Sequence, residues 1–131
     1  MPTDRDTLAR DLLTLPALVG APAEVVRGLC LHGPHGEQRI VDDVSEFGWW
    51  LDDGDEYLWE FLARSWCVDL DAWGSVGPLL GLLGPALRSV TRERDGWRVG
   101  LWLPDARISD HVAPVLGEAA ARALVEVGRA E

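Results

Sequence analysis

The sequence predicts an α+β fold, helices packed on a small antiparallel sheet, and three observations carry that prediction. Asp95-Gly96 separates two β-leaning runs and marks a β-hairpin at about 87–103. Val115, Leu116, Ala119, Ala120, Ala123, Leu124 and Val127 recur at alternating steps of one and three, which marks a C-terminal helix at about 113–127. The chain has 131 residues, 47% of them hydrophobic and 26% charged. That is the size and composition of a single folded domain spanning residues 1–131, with enough apolar surface for its own core.

The remaining elements follow in chain order. Thr3 with Asp6 resembles a capping box, and Leu8, Leu12 and Leu15 continue at helical spacing until Pro16 stops the helix. Residues 25–31 and 38–44 lean towards strand around the turn His32-Gly33-Pro34-His35-Gly36, which predicts a hairpin; a short helix from Pro22 is the alternative. An aromatic run, residues 47–51, ends in Asp52-Asp53-Gly54-Asp55. An aspartate at 53 or 55 then caps a helix through Trp66, with Leu58, Phe61, Leu62 and Trp66 on one face. Asp69 caps the next helix, whose stripe is Trp73, Val76, Leu80 and Leu83, and Gly84-Pro85 ends it. In the hairpin, an Asp-Gly turn with positive φ at both residues sets Arg94 opposite Trp97 and Glu93 opposite Arg98. Pro114 suits the first turn of the last helix and Gly128 its end.

Charge is distributed unevenly. The chain carries 22 acids against 12 bases, all arginine, for a formal charge of −10. Residues 37–71 hold 11 acids and two arginines, a net of −9, whereas residues 87–107 hold five arginines and three acids. Five of the seven tryptophans lie at 49, 50, 59, 66 and 73. An acidic surface argues against nucleic acid as a partner, because phosphate neutralisation needs cations, and against an anionic membrane. Taken alone it also serves plain solubility. No apolar run is long enough to span a bilayer, the N-terminus shows no signal pattern, and two cysteines are too few for a disulfide framework. A cytoplasmic location with both thiols reduced is the expectation.

Candidate chemistry is sparse. His32 and His35, joined by His111 or by Asp42 and Asp43, offer metal-ligating atoms, but the spacing lacks the helical pattern of a zinc hydrolase and does not support a metal geometry; a solvated turn is the simpler account of the pair. Read as a calcium loop from Asp52, the acidic run places Tyr57 where glycine is required. No serine sits in a nucleophile elbow, and Cys67 lies in acidic surroundings that disfavour a thiolate. Trp73 and Trp97 fall on apolar faces and are read as core, whereas Trp49 and Trp50, adjacent in a strand, point to opposite faces. No cofactor is called for.

From Ser65 onward the chain runs Ser65-Trp66-Cys67-Val68-Asp69-Leu70-Asp71-Ala72-Trp73 into a helix, then Asp95-Gly96-Trp97, then Ala113-Pro114 and the alanine-rich helix. This order resembles small phage and prophage proteins of the ABA-sandwich type, in which a Ser/Asp-led helix, a strand pair with a Gly-Trp turn and a final Ala-rich helix follow one another. The resemblance covers the second half of the chain. It implies a phage accessory or defence-related protein and brings no catalytic residues with it.

The leading expectation is therefore a non-enzymatic acidic interaction module of bacterial or phage origin, an inhibitor or accessory protein that meets a basic protein surface. Its contact surface is segment 37–64, with Trp49 or Trp50 and Trp59 as anchors and Asp52, Asp53, Asp55 and Glu56 steering the encounter. Two other readings stand beside it. One is a metal-dependent or small-molecule enzyme using His32, His35 and His111; the other is a self-associating subunit, a homodimer through the glycine-rich helix at 73–83.

Overall fold

Among the described residues, 4–45, 48–52, 56–59 and 65–130 of a computed structural model, thirteen helices and strands, joined by short 3-10 turns, build two antiparallel sheets with helices between them. The fold is α+β, as the sequence predicts. Helix α1, Asp4–Asp11, buries Leu8 and Ala9 and tightens into a 3-10 turn at Leu12–Thr14, where the Thr14 hydroxyl donates to the Asp11 carbonyl at 2.6 Å. Pro16 both ends this segment and opens α2, Pro16–Val19, because a proline at the first helical position gives up an N–H that has no partner there anyway. The single turn α3, Ala23–Val26, follows Pro22. Both alternatives for residues 22–31 are thus realised in succession, helix first and then strand.

The first sheet contains β1 (Cys30–His32), β2 (Gln38–Ser45), β3 (Gly48–Leu51), β4 (Glu56–Trp59) and β5 (Cys67–Val68) in the order β4-β3-β2-β1-β5. The predicted hairpin joins β1 to β2. Gly36 turns it at φ 82°, and the Gly33 N–H donates to the Glu37 carbonyl at 2.8 Å. The helix expected to run from Asp53 or Asp55 to Trp66 is not what residues 56–59 form. They pair with β3, Trp50 opposite Tyr57 and Trp49 opposite Leu58, and residues 60–64 lie outside those described. Burial alternates on both strands, Trp49, Leu51 and Leu58 inward and Trp50 outward, a period of two that a helix could not maintain.

Helix α4, Trp73–Leu83, begins from Ala72 rather than from Asp69, whose carboxylate instead accepts the Asp71 N–H at 3.0 Å. Gly84, at φ 54°, ends it as expected. Its buried face is Ser75, Pro78, Leu79 and Leu83, so the predicted stripe is rotated and Trp73 is 69% exposed instead of core. The reason is polar. Ser75 Oγ accepts the Cys30 N–H at 3.0 Å at the start of β1, and Gly74 allows that approach, since a Cβ there would lie 2.9 Å from Cys30 Sγ.

The second sheet is β6 (Leu87–Glu93), β7 (Gly96–Trp102) and β8 (Ile108–Ala113), with β7 central. The hairpin lies where predicted, but its turn sits one residue earlier, at Arg94-Asp95, and its register therefore shifts by two: Glu93 faces Gly96, and Arg92 rather than Arg94 faces Trp97. Glu93 and Arg98 still form an ion pair, now along a diagonal. Helix α5, Leu116–Ala130, starts two residues beyond Pro114 and runs past Gly128. It packs on β7 and β8 and also on α4 and α1; α1 in turn meets β5, and α3 meets β2 and α4. Glu118 is buried in the first turn of α5, held by Arg5 at 2.9 Å and Arg122 at 3.3 Å, and this tethers α1 to α5. No described helix is long and apolar enough to cross a membrane.

Candidate functional site

Strands β2, β3 and β4 of the acidic segment lie side by side at one end of the five-stranded sheet, and the pleat sorts their aromatic residues. Trp49 is 6% exposed and belongs to the core, so of the two adjacent tryptophans only Trp50 is offered to solvent. Trp50 stacks on Tyr57, its cross-strand partner, with ring centroids 4.6 Å apart and planes tilted by 54°. Asp43 is the partner of Trp50 on the other side, so an Asp-Trp-Tyr row crosses three strands. The Tyr57 hydroxyl shares a hydrogen bond with Ser45 Oγ; Gly48, which faces Ser45, has no side chain to stand between them. The ring pair is therefore held in one orientation. Ile40 is exposed on the same outward face.

The carboxylates divide by task. Asp52 has φ 51°, accepts the Ile40 N–H at 3.1 Å and pairs with Arg39 at 3.0 Å. It shapes the end of β3, and Arg39 offsets its charge. The Asp43 carboxylate accepts the Val44 N–H at 2.8 Å and stands beside Trp50. Asp53 and Asp55 lie outside the described residues, as do the side chains of Glu56 and Trp59 on β4. From sequence, Asp43 enters only as a possible metal ligand and Tyr57 only as the residue that breaks a calcium loop; neither is assigned to this surface. Their signal was the alternation of residues 48–51 and 56–59, which a helical reading of the second run conceals.

The three histidines are not brought together. His32 on β1 meets Asp69 at 2.9 Å, and His111, on β8 of the other sheet, meets Glu126 at 2.8 Å. His35 lies in the β1–β2 turn, where its N–H donates to the Glu37 carboxylate at 2.7 Å. Among the described residues no group of three His, Cys, Asp or Glu side chains is placed to hold a metal ion. Burial pushes both thiols up in pKa. The Ser75 hydrogen bond opposes this at Cys30 and Arg10 opposes it at Cys67, while Asp69 adds to it at both. Such surroundings do not favour a thiolate.

The Glu126 carboxylate, accepting from Ser109 and His111, is held below its ordinary 4.5. A depressed carboxylate pKa adds stability above the unfolded value, which is lost as pH falls through the folded one. Glu126 is about a third exposed, so screening keeps this below about 1 kcal/mol. In melts taken from neutral pH downward, Glu126→Gln is expected to melt below wild type at neutral pH and to converge with it below pH 4.5. A gap that persists at low pH would refute the assignment.

The arginine-rich sheet carries two further aromatic–cation contacts. Arg92 lies 5.5 Å from the Trp97 ring, which meets Trp73 edge-on at 6.0 Å, and Arg88 lies 5.8 Å from the ring of the exposed Trp102. No protein-family model matches this chain, and neither a curated protein nor a solved structure matches it.

Proposed function

We propose that this chain is a non-enzymatic acidic interaction module of bacterial or phage origin, acting as an inhibitor or accessory protein through the outward face of β2, β3 and β4. The observation that carries the reading is the Trp50–Tyr57 pair, with Trp50 exposed and Tyr57 half-buried, fixed by Ser45 and flanked by Asp43 in a segment of net charge −9. Aromatic side chains of this kind supply contact area at small entropic cost, and surrounding carboxylates raise the encounter rate with a basic partner. Trp50 takes the anchoring role. Trp49 supports the sheet from beneath, and Trp59 on β4 belongs to the same contact segment. Asp43, Asp53, Asp55 and Glu56 supply the steering charge, whereas Asp52 shapes the backbone.

The test is capture of a partner from a bacterial host extract by immobilised protein, at low and high salt. Wild type is expected to release its partner as salt rises. Trp50→Ala is expected to lose it at low salt, and so is a combined reversal of Asp43, Asp53, Asp55 and Glu56 to Arg. Asp52 is left intact because its substitution would disturb β3. A partner retained equally at all salt concentrations and by both variants would overturn the reading.

A further inference from the structure

An antiparallel sheet with one face on a helix normally turns polar residues outward. The β6-β7-β8 sheet does so only in part. One face packs its Val99 and Leu101 into the core and meets α5. The opposite face presents Trp102, Ile108 and Val112, which are 49%, 57% and 52% exposed. Trp102 and Ile108 are direct cross-strand partners, and Val112 faces Arg98 further along β8.

The charged residues between them cancel. Arg88 and Arg98 share Asp110, at 2.7 and 3.4 Å, and Arg98 also pairs with Glu93. The Arg88 guanidinium fills the space over Gly100, where a Cβ would come within 2.7 Å of its Nη2. This leaves a flat strip with two arginines, two carboxylates and three large apolar side chains. A groove of about 270 Å³, lined by Pro85, Ala86, Trp102, Leu103, Pro104 and Val127, continues it past the end of β7.

We propose that this face is the contact between two copies of the chain, packed sheet on sheet about a two-fold axis. A strongly basic or acidic partner gains nothing from a face whose charges cancel. A second copy, repelled by most of a −10 surface, meets no like-charge excess here. In an isologous pair every contact occurs twice, so a face with equal numbers of arginines and carboxylates is its own electrostatic complement. Aligned sheets also bury outward apolar side chains between them.

Size sets the strength. Three strands about 4.8 Å apart, six residues long at about 3.4 Å each, give a flat footprint of about 300 Å². A standard interface uses about 800 Å² per partner. Even with the groove added, the dimer is weak and reversible.

The experiment is sedimentation equilibrium of the full chain from about 10 μM to about 1 mM, where an interface of this class dissociates. Average mass is expected to climb reversibly from one chain towards two. Salt raised from about 0.05 to about 0.5 M should tighten the dimer, because it screens the repulsion between acidic surfaces. That sign is opposite to the one expected for a basic partner, so the two proposals fail independently. Ile108→Glu combined with Val112→Glu should weaken association at least tenfold with an unchanged circular dichroism spectrum. Trp102→Ala, which removes no buried group, reads the same contact separately. Trp73→Ala, on a different surface, should associate as wild type does. A monomer at every concentration, association weakened by salt, or association unaffected by both the double variant and Trp102→Ala would each overturn the proposal.

Discussion

Gly117→Ala is expected to destabilise the protein by about 2–3 kcal/mol, although helix propensity alone predicts a gain of about 1 kcal/mol. Gly117 lies in the first turn of α5, where that helix rests against the backbone of Leu70. A Cβ would stand 2.1 Å from the Leu70 carbonyl oxygen and 3.0 Å from its carbon. The obstacle is backbone in a buried turn, so relief requires α5 to lift away from its seat between α4 and the β7–β8 face. The control is Gly77→Ala in α4, where nothing lies within 4 Å of the new methyl; here the propensity gain of about 1 kcal/mol should appear undiminished. Urea or thermal melts of the two variants should therefore move in opposite directions. If both are stabilised, the close approach of α5 to Leu70 is wrong.

Gly96→Ala should cost a similar amount, about 2–3 kcal/mol, and Gly96→Asn should be no better. The second variant separates two explanations of the same glycine. If Gly96 served a turn with positive φ, asparagine, which adopts that region readily, would be tolerated. Positive φ is found at Gly28, Gly36 and Gly84 but not at Gly96. What Gly96 provides is room. A Cβ there would fall 2.2 Å from the Ala113 carbonyl oxygen and 3.0 Å from Pro114 Cα, where the end of β8 crosses the start of β7. Equal losses for the two variants support that assignment, and a mild Asn variant with a damaging Ala variant would refute it.

Gly96 also shows how far local sequence signals carry. Asp95-Gly96 located the hairpin correctly, because turn-forming residues between two β-leaning runs leave few alternatives. The same dipeptide misled on register, because the demand for glycine comes from Pro114 and Ala113, 17 or more positions away. Helix α5 was legible because a 15-residue helix buried along one stripe writes its period into the chain. Strand β4 was not. Four residues are too short for periodicity to separate strand from helix, and the aspartates before it imitate a helix cap. Strand β8 gave little signal of its own, since Ile108 and Val112 alternate apolar outward rather than inward.

The candidate site divides in the same way. That Trp49 and Trp50 point to opposite faces is a property of any strand, and the clustering of acids in residues 37–71 is plain composition. Which tryptophan faces solvent depends on which side of the sheet the helices cover. That Tyr57 joins Trp50 depends on pairing between β3 and β4. That His32 and His111 are kept apart depends on their lying in different sheets.

By itself, then, the sequence determined the α+β class, the amphipathic C-terminal helix, both hairpin positions and the concentration of negative charge in one segment, because each is written in neighbouring residues. Only the tertiary structure decided the register at Gly96, the rotation of α4 that buries Ser75 and exposes Trp73, the existence of two sheets, and the charge-balanced apolar face of β6-β7-β8. Each of these depends on a backbone group or side chain far away in the chain that must be satisfied, avoided or left uncovered, and hydropathy patterns do not record such demands.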